Sequence, residues 1–361
     1  PFFILLTARL WCGVCPVPAL GDAARRLRPT PPPLPPSAIR RVSPWVAALG
    51  LGVMGFLFLL LNLENSGPLT AALLLAFSTV AVGSALLWKG NVWCRYLCPL
   101  GLMAGLYSRV GWLRLEANNK RKAGSTASHC DFFTSPLAPR RSHDCALCGA
   151  CLQADGGEGV NVRLAGTAFF TAPLARAEAV AVSLLLGLLV ADALRMTPLF
   201  VRFMAWMTPR TGNYETGMAL GMVLVIALVL MGQTGAARLL GGKGEFWPSF
   251  TVLSLAWIPL ALAAHLSLSA QHLLAVGDVL RNLGAELSLL APGHMPPADA
   301  YATLWSMRAF QWAALALGGM AAFYLSRRPS TRAMSGAWAL AGIFPAIPLM
   351  VIFGQPMSIS C

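Results

Sequence analysis

The chain has 361 residues, 57% of them hydrophobic and only 11% charged. A soluble domain carries about 25% charged residues, so this composition excludes an ordinary soluble globule and points to membrane helices; the mean hydropathy of +0.64 agrees. The net charge of +13 does not signal nucleic acid, because the basic residues fall between apolar runs, where they report orientation through the positive-inside bias.

The opening, Pro1 to Trp11, is apolar but shorter than the ~20 residues of a spanning helix. It is expected to be the end of a truncated membrane helix. A signal-peptide core is the alternative, opposed by the cysteines that follow and by the lack of a small-residue cleavage pattern. Next comes Trp11-Cys12-Gly13-Val14-Cys15-Pro16. Pro16 to Ser43 reads as a linker, with Arg25, Arg26 and Arg28 before a proline run expected to be polyproline II. Spans are expected at Trp45–Leu63 and Leu69–Trp88. The second runs into Trp93-Cys94-Arg95-Tyr96-Leu97-Cys98-Pro99-Leu100-Gly101, so both Cys-Pro motifs sit where an apolar helix reaches water.

Lys89 to about Arg176 is the one long non-membrane segment, and its basic residues predict a cytoplasmic location. Leu100 to Leu115 is expected along the interface, with Arg109 and Arg114 on its wet side. Further spans are expected near Ala177–Leu194, Gly217–Gly235, Phe250–Ala270, Trp305–Leu325 and Trp338–Phe353, with loops at Arg202–Thr216 and Gln271–Ala300. Leu273 to Leu290 is amphipathic, its leucines recurring at three and four opposite Asp278, Arg281 and Glu286. It is expected either flat on the outer membrane surface or packed on neighbouring spans. The expected fold is an all-α membrane protein of about eight transmembrane helices, the first truncated, with a cysteine-rich, ferredoxin-like cytoplasmic segment. The divisions are residues 1–88, 89–176 and 177–361.

Eight of the nine cysteines precede residue 152. They border basic loops on the reducing side, which favours metal ligation over disulfides. Iron–sulfur clusters are held by soft thiolates, four per cubane, and bacterial ferredoxins use C-x2-C-x2-C-x3-C-P. Cys145, Cys148 and Cys151 reproduce the first three positions, but Asp155 stands where the fourth is expected. Cys130 is nominated to complete that set, ahead of His129, His143 and Asp144. Cys12, Cys15, Cys94 and Cys98 make a second quartet if the two helix ends are neighbours. An α-helical turn would put Cys94 and Cys98 on one face, about 5–6 Å apart at Cβ. A zinc site is the chemical alternative, less suited to a run of three cysteines.

At these residues the chain resembles the membrane polyferredoxins of the NapH, NosR and FixG type. The resemblance covers Cys12 to Cys151. The first motif departs from the family as C-x2-C-P, and one incomplete triad stands where NapH has two full sets. The resemblance implies one or two [4Fe–4S] clusters on the cytoplasmic side of the bacterial inner membrane. It also implies electron transfer between the quinone pool or a cytoplasmic donor and a partner redox protein, the chain being a carrier or an oxidoreductase subunit. The alternative is an iron–sulfur assembly or redox-sensing membrane protein. A transporter is disfavoured, for no pair of broken, charged mid-span helices is present.

Polar residues in the spans complete the reading. His265 and His272 are candidates for a quinone or proton site, against ordinary interfacial histidines. Asp192 is expected to pair with Arg195 at i, i+3. Glu178, Arg308 and Gln311 sit at span ends with no special role expected.

Overall fold

The computed structural model describes residues 9–27, 32–63, 66–110, 113–117, 130, 145–146, 160–164, 174–241, 246–287, 298–326 and 340–354. Within them the chain forms two compact units, Phe2–Leu185 with Phe250–Leu255, and Leu186–Ser249 with Ala256–Cys361.

The first unit begins with two short helices, α1 (Leu10–Val14) and α2 (Pro16–Arg26). The expected linker is therefore helical over its first third. Pro16 and Pro18 do not prevent this, because both lie in the first turn, where a backbone N–H has no intrahelical partner. The helix lies on α4 (Gly67–Leu87), where a Cβ on Gly21 would come 3.1 Å from Ala85 Cβ. Arg25 closes the contact by donating to Gly90 O at 2.8 Å and to Asn91 Oδ1, while pairing with Asp22. The proline run is extended at Pro36 (φ −55°, ψ 149°), and Pro33 O accepts from Lys89 N at 2.7 Å.

The spans α3 (Ser37–Leu60) and α4 follow, joined through Asn62 in the left-handed region (φ 46°), with Thr70 Oγ1 donating to Leu63 O at 2.5 Å. Both present exposed apolar rows, such as Leu49, Val53, Leu74 and Leu75, as helices facing lipid do. After a turn at Gly90 (φ 78°) come a π-helical turn over Trp93–Leu97 and the helix α5 (Pro99–Tyr107). The expectation for this stretch needs correcting. Pro99, Gly101, Ala104, Leu106 and Tyr107 are buried, as is Arg109. Arg109 does not face water; it pairs at 3.1 Å with Glu178 at the start of α6 (Arg176–Arg195). Glu178 also accepts from Ala175 N at 2.9 Å, so it ties down a helix start and neutralises a buried guanidinium together.

Two strands, β1 (Leu113–Ala117) and β2 (Val160–Leu164), interrupt the all-helical expectation. They pair antiparallel with Leu113 opposite Leu164.

In the second unit, α7 (Pro198–Thr211) replaces the expected loop at 202–216. Thr197 caps it, accepting from Phe200 N at 3.4 Å, and Gly212 ends it in the left-handed region (φ 82°). At 14 residues it is too short to span, yet it exposes Leu199, Val201 and Trp206, the pattern of a helix at an interface. The helices α8 (Tyr214–Gly241), α9 (Phe246–Leu287, apart from Phe250–Leu255), α10 (Ala298–Ser326) and α11 (Ala346–Gly354) complete the unit. The turn expected at Gln271 is absent, for α9 runs on through the amphipathic segment. Its 42 residues make a helix of about 63 Å at ~1.5 Å per residue, twice the ~30 Å hydrocarbon core. Helix α10 crosses α9 tightly, since a Cβ on Gly318 would lie 2.8 Å from Ala263 Cβ. Gln311 is buried there and donates to Ser267 O at 3.2 Å.

Among the described residues five helices are long and apolar enough to cross a membrane: α3, α4, α6, α8 and the Phe246–Ala270 part of α9. This agrees with a multi-pass membrane protein. The stretch Leu340–Phe353 is apolar but shorter. The expected Asp192–Arg195 pair is present at 3.0 Å.

Candidate metal centre

The two Cys-Pro motifs are built alike. In each, a short helical turn ends, the second cysteine becomes extended, and a proline opens the next helix. Cys15 (φ −64°, ψ 133°) precedes Pro16 of α2, and Cys98 (φ −69°, ψ 119°) precedes Pro99 of α5. Proline at the first helical position fixes φ and gives up only an N–H that has no intrahelical partner. Each second cysteine thus sits at a helix N-terminus, where unpaired N–H groups and the helix dipole favour negative charge. Cys98 Sγ accepts from Gly101 N at 3.3 Å.

The expected α-helical spacing of Cys94 and Cys98 is replaced by a wider turn. Cys98 N donates to Trp93 O at 2.8 Å, a five-residue step. The single extra residue rotates Cys98 out of helical register, a device frequent at functional sites. Trp93 is held against Phe77 of α4, ring centroids 5.4 Å apart, so the turn is anchored to the preceding span.

The structure brings the two motifs together. Cys12 packs with buried Cys94 and Ala146, and burial pushes the Cys94 thiol up, with the nearby Cys98, Cys12 and Cys15 adding to the rise. Desolvation pushes the Cys98 thiol up to about 11, opposed by the N–H groups of Gly101 and Leu100. Burial also raises Cys94 and Cys12, and the guanidinium of Arg9 pulls in the opposite direction at all three. At neutral pH these are thiols. A metal must displace their protons, so the negative charge of the site arrives with the metal.

Arg9 was not singled out from the sequence. It is 2% exposed and donates to Gly101 O, and its guanidinium lies over the Gly101 and Gly105 face of α5. The available signal was a lone arginine in an apolar run three residues before a cysteine motif. In sequence it is indistinguishable from a residue snorkelling to the interface.

Two members of the ferredoxin-like segment reach the same place. Ala146 is buried beside Cys94, and Cys130 packs on that pair. A Cβ on Gly13 would lie 2.9 Å from Ala146 O, so glycine is what lets the Cys145–Ala146 backbone approach the first motif. Cys130 therefore lies with the first quartet's residues as well as with the loop it was assigned to. Cys148, Cys151, His129, His143, Asp144 and Asp155 lie outside the described residues.

Among the described residues no three His, Cys, Asp or Glu side chains gather tightly enough to hold a single ion. One zinc would draw its thiolates to about 2.3 Å, whereas a cubane spreads its ligands over the corners of an inorganic core. The fit to a cluster rests on the donors: four thiols, backbone N–H groups aimed at sulfur, and a buried cation. Half-buried His265 lies in the second unit. An apolar cavity of about 260 Å³ there, lined by Leu194, Phe200, Phe203, Met222 and Val225 among others, does not include His265; its wholly apolar lining suits a hydrocarbon chain and offers no donor to a quinone head.

No curated protein and no solved structure matches the chain. A family model described as a 4Fe-4S binding domain matches residues 1–35 and 70–116. Those two stretches contain both Cys-Pro motifs and Arg9, the segments that the fold brings together, and the match supports an iron–sulfur protein.

Proposed function

We propose that this chain is a membrane-bound iron–sulfur electron-transfer protein of the polyferredoxin kind. It would have about eight spans and its clusters on the cytoplasmic face of a bacterial inner membrane. Electrons would pass between the quinone pool or a cytoplasmic donor and a partner redox protein. The observation that carries this reading is the packing of Cys12 of the first motif with buried Cys94 of the second, each motif's second cysteine standing at a helix N-terminus. A [4Fe–4S] cluster, when bound, supplies a one-electron couple. The chain's part is to hold four thiolates, shield them from water and aim N–H groups at sulfur. Cys145, Cys148 and Cys151, with Cys130, are proposed for a second cluster. The approach of Cys130 and Ala146 to Cys94 supports two centres close enough to exchange electrons.

Iron and acid-labile sulfide per chain, with EPR of the reduced protein after anaerobic purification, test this. About eight irons with matching sulfide support two cubanes, and about four support one. Comparing Cys94→Ala with Cys130→Ala then shows which set is filled. Zinc without sulfide would sink the proposal.

A further inference from the structure

We infer that the apolar cleft between α6, α7 and α8 holds one acyl chain of an anionic phospholipid, whose headgroup is drawn by Arg202 and Arg210 of α7. The inference uses the membrane reading of the chain and none of its cluster chemistry, and it concerns the second unit alone.

Small residues build the cleft. A Cβ on Gly187 of α6 would stand 3.1 Å from Ile226 Cα of α8, so the two helices touch closely there. One turn along, buried Ala191 and Met222 line the gap instead. Helix α7 closes the third side on a glycine strip of α8. A Cβ on Gly221 would lie 2.7 Å from Phe203 Cε1, and one on Gly217 would lie 3.3 Å from Met204 Cε. Between these contacts about 260 Å³ remains. An apolar cavity of ~150 Å³ stays dry and binds benzene, so this one has room for roughly ten carbons of a chain. Left empty, it would lower stability in proportion to its volume. Its floor, Ala191 and Met222, is 4% and 3% exposed, whereas Leu199 and Leu224 at its edge are 63% and 51% exposed. The cleft therefore opens outward, as an enclosed packing defect does not.

Charge at the opening selects the occupant. Helix α7 carries Arg202 and Arg210 and no acidic residue, and neither arginine has an acidic partner among the described residues. Arg202 is exposed and stands three residues after Leu199, a neighbouring position on the helix surface. Arg210 lies over the Trp206 ring, 4.1 Å from its centroid, and donates to Trp206 O. The rings of Phe200, Phe203 and Trp206 follow one another at 6.3 and 6.4 Å, so an apolar band runs from the cleft to that arginine. An interfacial helix with tryptophan and arginine sits at headgroup level, where guanidinium groups pair with phosphate. A neutral quinone head gains little from two cations, and a zwitterionic lipid gains less than one with net negative charge. The second chain of a diacyl lipid also covers Leu199 and Leu224, which a single-chain fatty acid would leave bare.

The test titrates the delipidated full chain in mild detergent with dioleoyl phosphatidylglycerol, dioleoyl phosphatidylcholine or oleate, and follows the unfolding midpoint. Phosphatidylglycerol should raise the midpoint of wild type by about 5–10 °C at roughly a hundredfold excess over half-saturation. The other two should need about tenfold more to match it. Arg202→Gln/Arg210→Gln alters only exposed side chains and should bring phosphatidylglycerol down to the level of phosphatidylcholine. Ala191→Leu fills the cleft and should abolish the shift for every lipid. Should that variant fail to fold, Leu199→Asp takes its place, for a carboxylate at the exposed edge should weaken phosphatidylglycerol about as much as loss of the arginines. Equal shifts from phosphatidylglycerol and phosphatidylcholine in wild type overturn the inference. Wild-type phosphatidylglycerol binding in the arginine variant, in Ala191→Leu or in Leu199→Asp does so too. A shift from oleate equal to that from phosphatidylglycerol assigns the cleft to a free fatty acid and overturns the phospholipid.

Discussion

Replacing Gly101 with alanine tests the geometry at the heart of the site. The added Cβ would lie 2.6 Å from Cys94 O, 3.3 Å from Cys98 Cβ and 3.3 Å from Arg9 Nη2. The nearest of these atoms is backbone, so a rotamer change cannot relieve the clash, and either the π-turn or α5 must move. Overpacking of this kind costs about 1–3 kcal/mol. Against it stands the ~1 kcal/mol by which alanine outdoes glycine inside a helix, leaving a net loss of up to about 2 kcal/mol. Gly83→Ala in α4 is the matched control, since nothing lies within 4 Å of its added Cβ. There the sign reverses, with a gain of about 0.4–1 kcal/mol. Thermal unfolding in mild detergent reads both, at about 2–4 °C per kcal/mol for a unit of this size. Gly101→Ala should melt several degrees below wild type and lose iron, while Gly83→Ala should melt at or above wild type with iron intact. A fully loaded Gly101→Ala as stable as the control would refute the placement of the Cys94 carbonyl against α5.

Two further predictions concern groups outside the centre. Arg109→Met should destabilise only modestly, because it leaves Glu178 23% exposed and able to reach water. Glu178→Met should cost about 3 kcal/mol by removing the carboxylate paired with a guanidinium that is 3% exposed, and the Arg109→Met/Glu178→Met pair should recover most of that loss. A double-mutant cycle on denaturant midpoints checks this, and strictly additive losses would contradict it. In the second unit, Gln311→Leu should cost under about 1.5 kcal/mol, whereas Gln311→Ala, which also opens a cavity between α9 and α10, should cost roughly 2–3 kcal/mol. Equal melting temperatures for the two variants would argue against Gln311 being packed at that crossing.

The spans were legible because hydrophobic runs near 20 residues have few other uses, and α3, α4, α6, α8 and the first part of α9 lie where that pattern puts them. The shorter helices were hidden for particular reasons. Helix α2 begins with two prolines and ends with arginines, a composition equally suited to a linker. Helix α7 is too short to span and too apolar at Leu199, Val201 and Trp206 for a loop. Lone apolar length cannot tell an interfacial helix from a connection.

The chemistry divides in the same way. Cysteine spacing and the prolines that follow Cys15 and Cys98 were enough to nominate candidate donors, because thiolate number and spacing follow from the cofactor's own geometry. The sequence also placed Cys94 and Cys98 just beyond the end of an apolar helix, α4. Only the tertiary structure decided that residues about eighty positions apart meet, that a π-turn replaces the expected helical spacing, that Arg9 is buried, and that Arg109 is buried where water was expected. The reason is physical: a charged residue looks the same in sequence whether it snorkels to solvent or is held inside. Its burial depends on partners, here Gly101 and Glu178, that the chain supplies from far away.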